Sequence, residues 1–184
     1  MLDSPRGRRA LVIGAMVLAT LVGCTDGGGG KTDAGNGQTG VSDEDFPFAV
    51  DLVNDPATRR LLRRCPVTRP NHNIPPGEER NPGAEQAAYY GNGKLWTVLY
   101  GITRQPPDGL KFPWWREARG RLTIKGTRLD GGAPALRARI PGGYGLIGFQ
   151  ATKVLFSTPG CWRVTGMVGD EKLSFVTLVL KPNQ

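Results

Sequence analysis

The chain is poor in the residues on which many catalytic sites depend. Its 184 residues include one histidine, His72, and three cysteines. No carboxylate or reactive cysteine stands close to His72 in the sequence, and the cysteines and His72 lack a recognisable zinc-ligand spacing. The sequence therefore predicts neither a metal site nor a cofactor.

Catalytic motifs are missing as well. There is no Gly-x-Ser-x-Gly nucleophile, no phosphate-binding loop and no dinucleotide fingerprint. The only cluster suited to acid–base chemistry consists of Glu78, Glu79 and Glu85. Because carboxylates in a loop rich in proline and glycine are usually solvated, we predict that the protein is not an enzyme. An envelope hydrolase is the most distant alternative.

The sequence also lacks a hydrophobic run long enough to span a bilayer. Three arginines within residues 6–9 precede an apolar run over residues 10–22. This run is about 13 residues long, whereas a transmembrane helix needs about 20. The order of positive charge, apolar run and small residues is instead typical of a secretory signal.

Residues 21–24, Leu-Val-Gly-Cys, resemble the lipobox at which bacterial lipoprotein signal peptides are cut. The resemblance implies a signal peptide over residues 1–23 and lipid, palmitate included, on Cys24. It also implies that the protein is anchored by lipid to the cell membrane, on the extracytoplasmic face. Arg8 and Arg9 leave open whether export follows the general or the twin-arginine route.

Residues 24–45 are almost entirely Gly, Thr, Asp, Ser, Asn and Gln. Such a stretch buries too little apolar surface to fold, so it predicts a flexible, lipidated tether with a root-mean-square length of roughly 25 Å. The remaining residues, 46–184, suffice for one domain with its own core.

Cys65 and Cys161 are the two cysteines that remain once Cys24 carries lipid. Disulfides persist in extracytoplasmic compartments, so we predict that these two cysteines are bonded. Two separate buried thiols are the alternative.

One short helix is predicted near the start of the domain. Asp55 is suited to cap it, Pro56 to be its first residue, and residues 58–64 can continue it. Leu61 and Leu62 are expected to face inward. Four arginines of the helix could contact anionic headgroups or form a solvated face: Arg59, Arg60, Arg63 and Arg64.

Strands are predicted for most of the rest. Residues 66–93 contain five prolines and little periodicity, which predicts an unusually long loop. About seven strand-like segments follow, at residues 94–100, 121–128, 135–140, 146–150, 153–156, 162–168 and 173–180. Short strands with regular turns predict an all-β, antiparallel sandwich.

Residues 158–166 resemble the entry to the penultimate strand of many immunoglobulin-like bacterial domains, with Trp162 in the core. Residues 90–99, 111–116 and 160–162 resemble an uncharacterised family of bacterial lipoproteins. These resemblances imply an immunoglobulin-like sandwich and an envelope location, and they imply no activity.

Aromatic and arginine residues provide the candidate binding site. Since successive residues of a strand face opposite sides, one of Trp114 and Trp115 can enter the core while the other is exposed. In the alternative, both tryptophans fill the core. The candidate binding residues are Trp114, Trp115, Arg116, Arg119, Tyr90 and Trp96.

The net charge of +8 favours anionic neighbours, while the export signal argues against nucleic acid. We expect a non-catalytic binding module for a cell-envelope component, with an anionic polymer, a carbohydrate or another envelope protein as partner. An accessory subunit of a membrane complex, without a ligand of its own, is the alternative.

The lipobox hypothesis predicts that Cys24→Ala leaves uncut precursor or releases the protein from membranes, because the lipid-bearing thiol is lost. Immunoblots of fractionated cells measure this. A variant that is still processed and still sediments with membranes would contradict the hypothesis.

Overall fold

The computed structural model describes residues 50–182. The predicted signal peptide, the tether and Cys24 lie outside these residues, as do residues 46–49 of the predicted domain. No helix within the described range is long and apolar enough to cross a membrane.

Two short helices precede the strands: α1, Val50–Asn54, and α2, Pro56–Leu62. Nine strands follow in the described chain: β1 (Tyr89–Gly91), β2 (Leu95–Val98), β3 (Ile102–Arg104), β4 (Leu110–Arg116), β5 (Thr123–Arg128), β6 (Arg137–Arg139), β7 (Gly148–Leu155), β8 (Gly160–Val168) and β9 (Glu171–Leu180).

The predicted start of α2 is confirmed. The Asp55 carboxylate accepts hydrogen bonds from the backbone N–H and the hydroxyl of Thr58, both at 2.8 Å. Leu62 packs against the core, but Leu61 is 45% exposed, so the prediction that both leucines face inward is wrong. Thr58 is buried instead, because it lies one turn before Leu62 on the same helix face, whereas Leu61 is rotated about 100° from Leu62.

The strands form two sheets, with orders β1-β2-β4-β7-β6 and β3-β9-β8-β5. The predicted all-β sandwich is therefore confirmed. The order β4-β7-β6 opposite β5-β8-β9 matches strands B-E-D opposite C-F-G of an immunoglobulin sandwich. β1 and β2 extend the first of these sheets as an additional hairpin.

One strand pair is not antiparallel. β3 runs parallel to β9, with Ile102 opposite Leu178. The chain leaves β2 in one sheet and crosses to the other at Gly101, whose φ of 57° suits glycine. The Gly101 carbonyl accepts hydrogen bonds from the backbone N–H of Leu178 and the hydroxyl of Thr177. This crossover aligns β3 with β9, which alternation within single segments does not reveal.

The main core lies between the sheets. Alternation along β4 directs Phe112 and Trp114 inward, where both contact Phe175 of the opposite sheet. The Trp114 indole occupies the space above Gly166 of β8, where a β-carbon would collide with it. Trp162 is fully buried beside Phe156, which confirms its predicted core position.

Cys65 and Cys161 form the predicted disulfide. It joins the segment after α2 to the second residue of β8, whereas the disulfide of antibody domains joins strand B to strand F. The disulfide, both sheets and the core between them all lie within residues 50–182. A fragment of residues 46–184 therefore contains all three.

Several predicted segments differ in extent. The two strands predicted at residues 146–150 and 153–156 are replaced by a single strand, β7, at Gly148–Leu155. Three further strands, β1, β3 and β4, are absent from the predicted segments. Gln150 and Thr152 explain the first difference. Both point inward, and their side chains donate to the carbonyls of Pro141 and Phe112, so polar residues occupy core positions in the middle of the strand.

The disulfide generates a stability prediction. Replacing Cys65 and Cys161 together by serine should lower the free energy of unfolding by up to about 4–5 kcal/mol, because the bond closes a long loop in the unfolded chain. Urea titration of the 46–184 fragment measures this. Two free thiols in the unreduced, unfolded fragment would contradict the bond itself.

Candidate functional site

A row of aromatic side chains crosses the outer face of the five-stranded sheet. Trp96 of β2 lies opposite Trp115 of β4, and Trp115 lies opposite Phe149 of β7. All three point away from the main core, because their neighbours in sequence point into it. We call Trp96, Trp115 and Phe149 the aromatic row.

Gly91 makes room for the first member of this row. It lies opposite Trp96 on β1, and a β-carbon at Gly91 would collide with the indole. The Trp96 ring can therefore lie flat against the edge of the sheet. Its indole N–H donates to the Asn73 side-chain oxygen at 3.2 Å.

The long proline-rich segment covers two members of the aromatic row. We call residues 66–88 the strap. Ala84 of the strap, Tyr89, Trp96 and Trp115 form a second buried cluster, separate from the main core. Only 3% of Trp96 and 8% of Trp115 are exposed. The long loop predicted from the sequence is thus a cover for the outer face of the sheet.

Glu78 fastens the strap to the sheet. One carboxylate oxygen accepts a hydrogen bond from the indole N–H of Trp115 at 2.9 Å. The other accepts one from the Asn81 amide at 2.6 Å and a longer one from the Tyr89 hydroxyl at 3.5 Å. Burial, and then the negative charge of Glu78, raise the pKa of Tyr89. In the described chain, Glu78 therefore acts as a structural acceptor.

Asn71 closes the free edge of β1. Its side chain both donates to the Gly91 carbonyl at 2.7 Å and accepts from the Gly91 N–H at 3.1 Å. The backbone N–H of His72 donates to the Tyr89 carbonyl. An open strand edge can pair with another chain, so the strap also protects this end of the sheet.

Arg116 holds the loop that borders the other side of the aromatic row. We call residues 141–148 the rim loop. The buried guanidinium donates to the carbonyls of Gly145 at 2.7 Å, Gly120 at 2.9 Å and Gly148 at 3.4 Å. Burial lowers the pKa of Arg116. The sequence places Arg116 among the candidate binding residues, but these donors serve backbone carbonyls.

Large apolar side chains are exposed on and beside the rim loop. Their exposed fractions are 40% for Tyr144, 43% for Leu146, 55% for Ile147 and 44% for Phe149. The ring centroids of Phe149 and Trp115 are 5.4 Å apart, and those of Phe149 and Tyr144 are 6.0 Å apart, both in edge-to-face arrangements. We call these four residues the apolar rim, and it continues the aromatic row into solvent.

An open cleft of about 380 Å³ separates the strap from the rim loop. Trp96 and Trp115 provide apolar walls, and Lys94 and Glu117 bring charges of opposite sign. The cleft is lined by Pro76, Lys94, Trp96, Trp115, Arg116, Glu117, Ile147 and Gly148.

The structure separates the predicted binding residues. Trp96, Trp115 and Arg116 border the cleft, whereas Trp114 is fully buried between the sheets. Its indole nitrogen has no hydrogen-bond partner within the described chain. The expectation that one of Trp114 and Trp115 is exposed is therefore wrong, and the alternative that both are buried is correct.

Two other predicted residues lie apart from the cleft lining. Tyr90 is half-buried and packs against the main core. Arg119 is exposed in the turn after β4, next to Gly120, whose N–H donates to the Leu146 carbonyl at 3.0 Å. Arg119 thus lies beside the rim loop.

Sequence reasoning missed the apolar rim and the role of Glu78. The strand predicted for residues 146–150 would bury alternate side chains, whereas the glycines before them are the better indication of a loop. The partner of Glu78 is Trp115, 37 residues away. No local pattern indicates such a contact.

No family model, curated protein or solved structure matches this chain. Among the described residues, no group of three or more His, Cys, Asp or Glu side chains could hold a metal ion.

Glu78 generates a prediction about the strap. Glu78→Ala should cost about 1–3 kcal/mol of stability, because it leaves the buried Trp115 N–H without an acceptor. Glu78→Gln should cost less, since its amide oxygen can still accept. Limited proteolysis should show faster cleavage within the strap for the alanine variant.

Glu85→Ala is the matched control, because Glu85 is an exposed carboxylate on the same strap. Equal cleavage rates for Glu78→Ala and Glu85→Ala would show that Glu78 does not fasten the strap.

Proposed function

We propose that the protein is a lipid-anchored, extracytoplasmic interaction module that docks another envelope protein through the apolar rim and the adjoining cleft. The lipobox-like residues 21–24 support the anchor and the location. The contiguous exposure of four large apolar side chains supports the docking surface, since contiguous exposed apolar patches mark interaction sites. That exposure is the observation on which the proposal chiefly rests.

The rim is held in place before any partner arrives. Arg116 donates to two carbonyls of the rim loop and to one of the turn after β4, and Phe149 packs against the buried Trp115. A surface that is already ordered loses less entropy when it binds. This rigidity supports a docking role over a role for a loop that folds on contact.

The position of the rim also suits a partner away from the membrane. The N–H of Gly120 donates to the Leu146 carbonyl of the rim loop. Gly120 also lies close to Val168, the last residue of β8, because a β-carbon at Gly120 would contact its side chain. The rim loop is therefore at the end of the sandwich where β8 turns into β9. The disulfide lies at the other end, where β8 begins at Gly160. α2 leads directly to that disulfide, so the described part of the chain begins at the end opposite the rim.

A protein partner is favoured over a carbohydrate. Sugar-binding platforms present a flat exposed ring, whereas Trp96 and Trp115 are covered by the strap. The exposed side chains of the apolar rim are two aliphatic and two aromatic ones, which suits contact with apolar protein side chains. The accessory-subunit alternative differs only in that its partner would be a fixed member of a membrane complex.

Site-specific photo-crosslinking tests the proposal. A crosslinking residue at Leu146 in the full chain should give a discrete adduct with an envelope protein in living cells. Adding Ile147→Ser should remove this adduct, because it replaces the most exposed apolar side chain of the rim with a polar one.

The control is Leu61→Ser, since Leu61 is 45% exposed but lies on α2, away from the rim. This variant should keep the adduct. Absence of any adduct at Leu146, or its loss in both serine variants, would refute the proposed docking surface.

A further inference from the structure

A second surface lies on the outer face of the same sheet, beyond the aromatic row. Lys111 of β4 lies opposite Lys153 of β7, and Lys153 lies opposite Arg139 of β6. Alternation directs all three side chains outward, because their neighbours Phe112, Val154 and Ala138 pack in the core. We call Lys111, Lys153 and Arg139 the cation row.

The arrangement is electrostatically unfavourable in the isolated protein. Like charges directly opposite each other on neighbouring strands repel and destabilise a sheet. The described residues supply one ion pair to the row, between Lys153 and Asp108 at 2.6 Å. Lys111 also lowers the pKa of Asp108, after the larger effect of Lys153. One carboxylate thus serves two of the three cations, Lys153 and Lys111.

The other sheet shows how a simply solvated basic face is arranged. On its outer side Lys125 lies opposite Thr165, and Arg163 lies between Thr127 and Val176. Every cation there faces a neutral residue. In the cation row, by contrast, each cation lies opposite another cation.

We propose that the cation row binds a linear anionic polymer laid across β4, β7 and β6. Neighbouring strands are about 4.8 Å apart, so the three charges span about 10 Å. A chain carrying phosphate or similar anions along its length can contact all three. Arg137, exposed two residues before Arg139 on the same face, extends the charge along β6, the edge strand of the sheet.

The strap favours a thread-like ligand over a membrane surface. It covers the outer face of β1, β2 and part of β4, and it therefore rises above the level of the cation row. It carries the exposed carboxylates of Glu79 and Glu85. A flat anionic bilayer approaching the row would meet these carboxylates, whereas a single polymer chain can lie beside the strap.

Binding of long-chain inorganic polyphosphate to the 46–184 fragment tests the proposal. Replacing Lys111 and Arg139 together by serine should weaken binding about tenfold or more. The slope of log affinity against log salt should fall by about 1–2, because two charge contacts are lost. The melting temperature should stay unchanged or rise, since repulsion within the row is removed.

The matched control replaces Lys125 and Arg163 together by serine. It removes the same charge from exposed positions on the opposite face, and it should change affinity less than about twofold. Equal weakening by both double variants would show a net-charge effect and overturn the proposal. So would unchanged binding in the variant of the cation row.

Vesicles of phosphatidylglycerol provide the arm that distinguishes a membrane. The proposal expects polyphosphate binding to depend on the cation row and vesicle binding not to depend on it. If the variant of the cation row loses vesicle binding but keeps polyphosphate binding, the surface is a membrane contact and the proposal is wrong. None of these results depends on the lipid anchor or on the apolar rim.

Discussion

Two consecutive tryptophans on a central strand impose the main constraint on this fold. Trp114 and Trp115 must point to opposite faces of β4, so the five-stranded sheet needs an apolar cover on both sides. The four-stranded sheet covers Trp114, and the strap covers Trp115. This requirement explains why a long segment without regular secondary structure packs closely against the sheet. The strap is fixed there by hydrogen bonds in which Asn71 both donates and accepts, while Asn73 and Glu78 accept from indole N–H groups.

The elements that could be predicted from the sequence are those with strong local patterns. The cap at Asp55, the alternating strand β5 and the hairpin of β8 and β9 follow from residues close to one another. β1 and β3 are three residues long, which is too short for alternation to show. β4 contains Pro113, which cannot donate to a ladder and therefore reads as a break. It lies where the pairing of β4 with β2 ends, so the strand tolerates it.

The candidate site was only partly predictable for a related reason. Trp96, Trp115 and Arg116 could be identified as important because aromatic and arginine residues cluster in the sequence. Their environments depend on partners such as Glu78 and Gly145, which are distant along the chain. Arg116 illustrates the limit. A guanidinium beside tryptophans suggests anion binding, yet its donors are directed to three carbonyls that shape a loop.

The position of the disulfide also determines how the domain would carry mechanical load. A pull on the chain from its N-terminal side reaches Cys65 before it reaches the strap, and the bond to Cys161 transfers the force into β8. β8 is paired on both sides, so the force would have to shear two strand ladders together. The helices can unravel under tension while the strap and the rim loop remain unloaded. For a domain held at one end, the disulfide would thus separate the two helices, which can unfold under load, from the sandwich, which resists it.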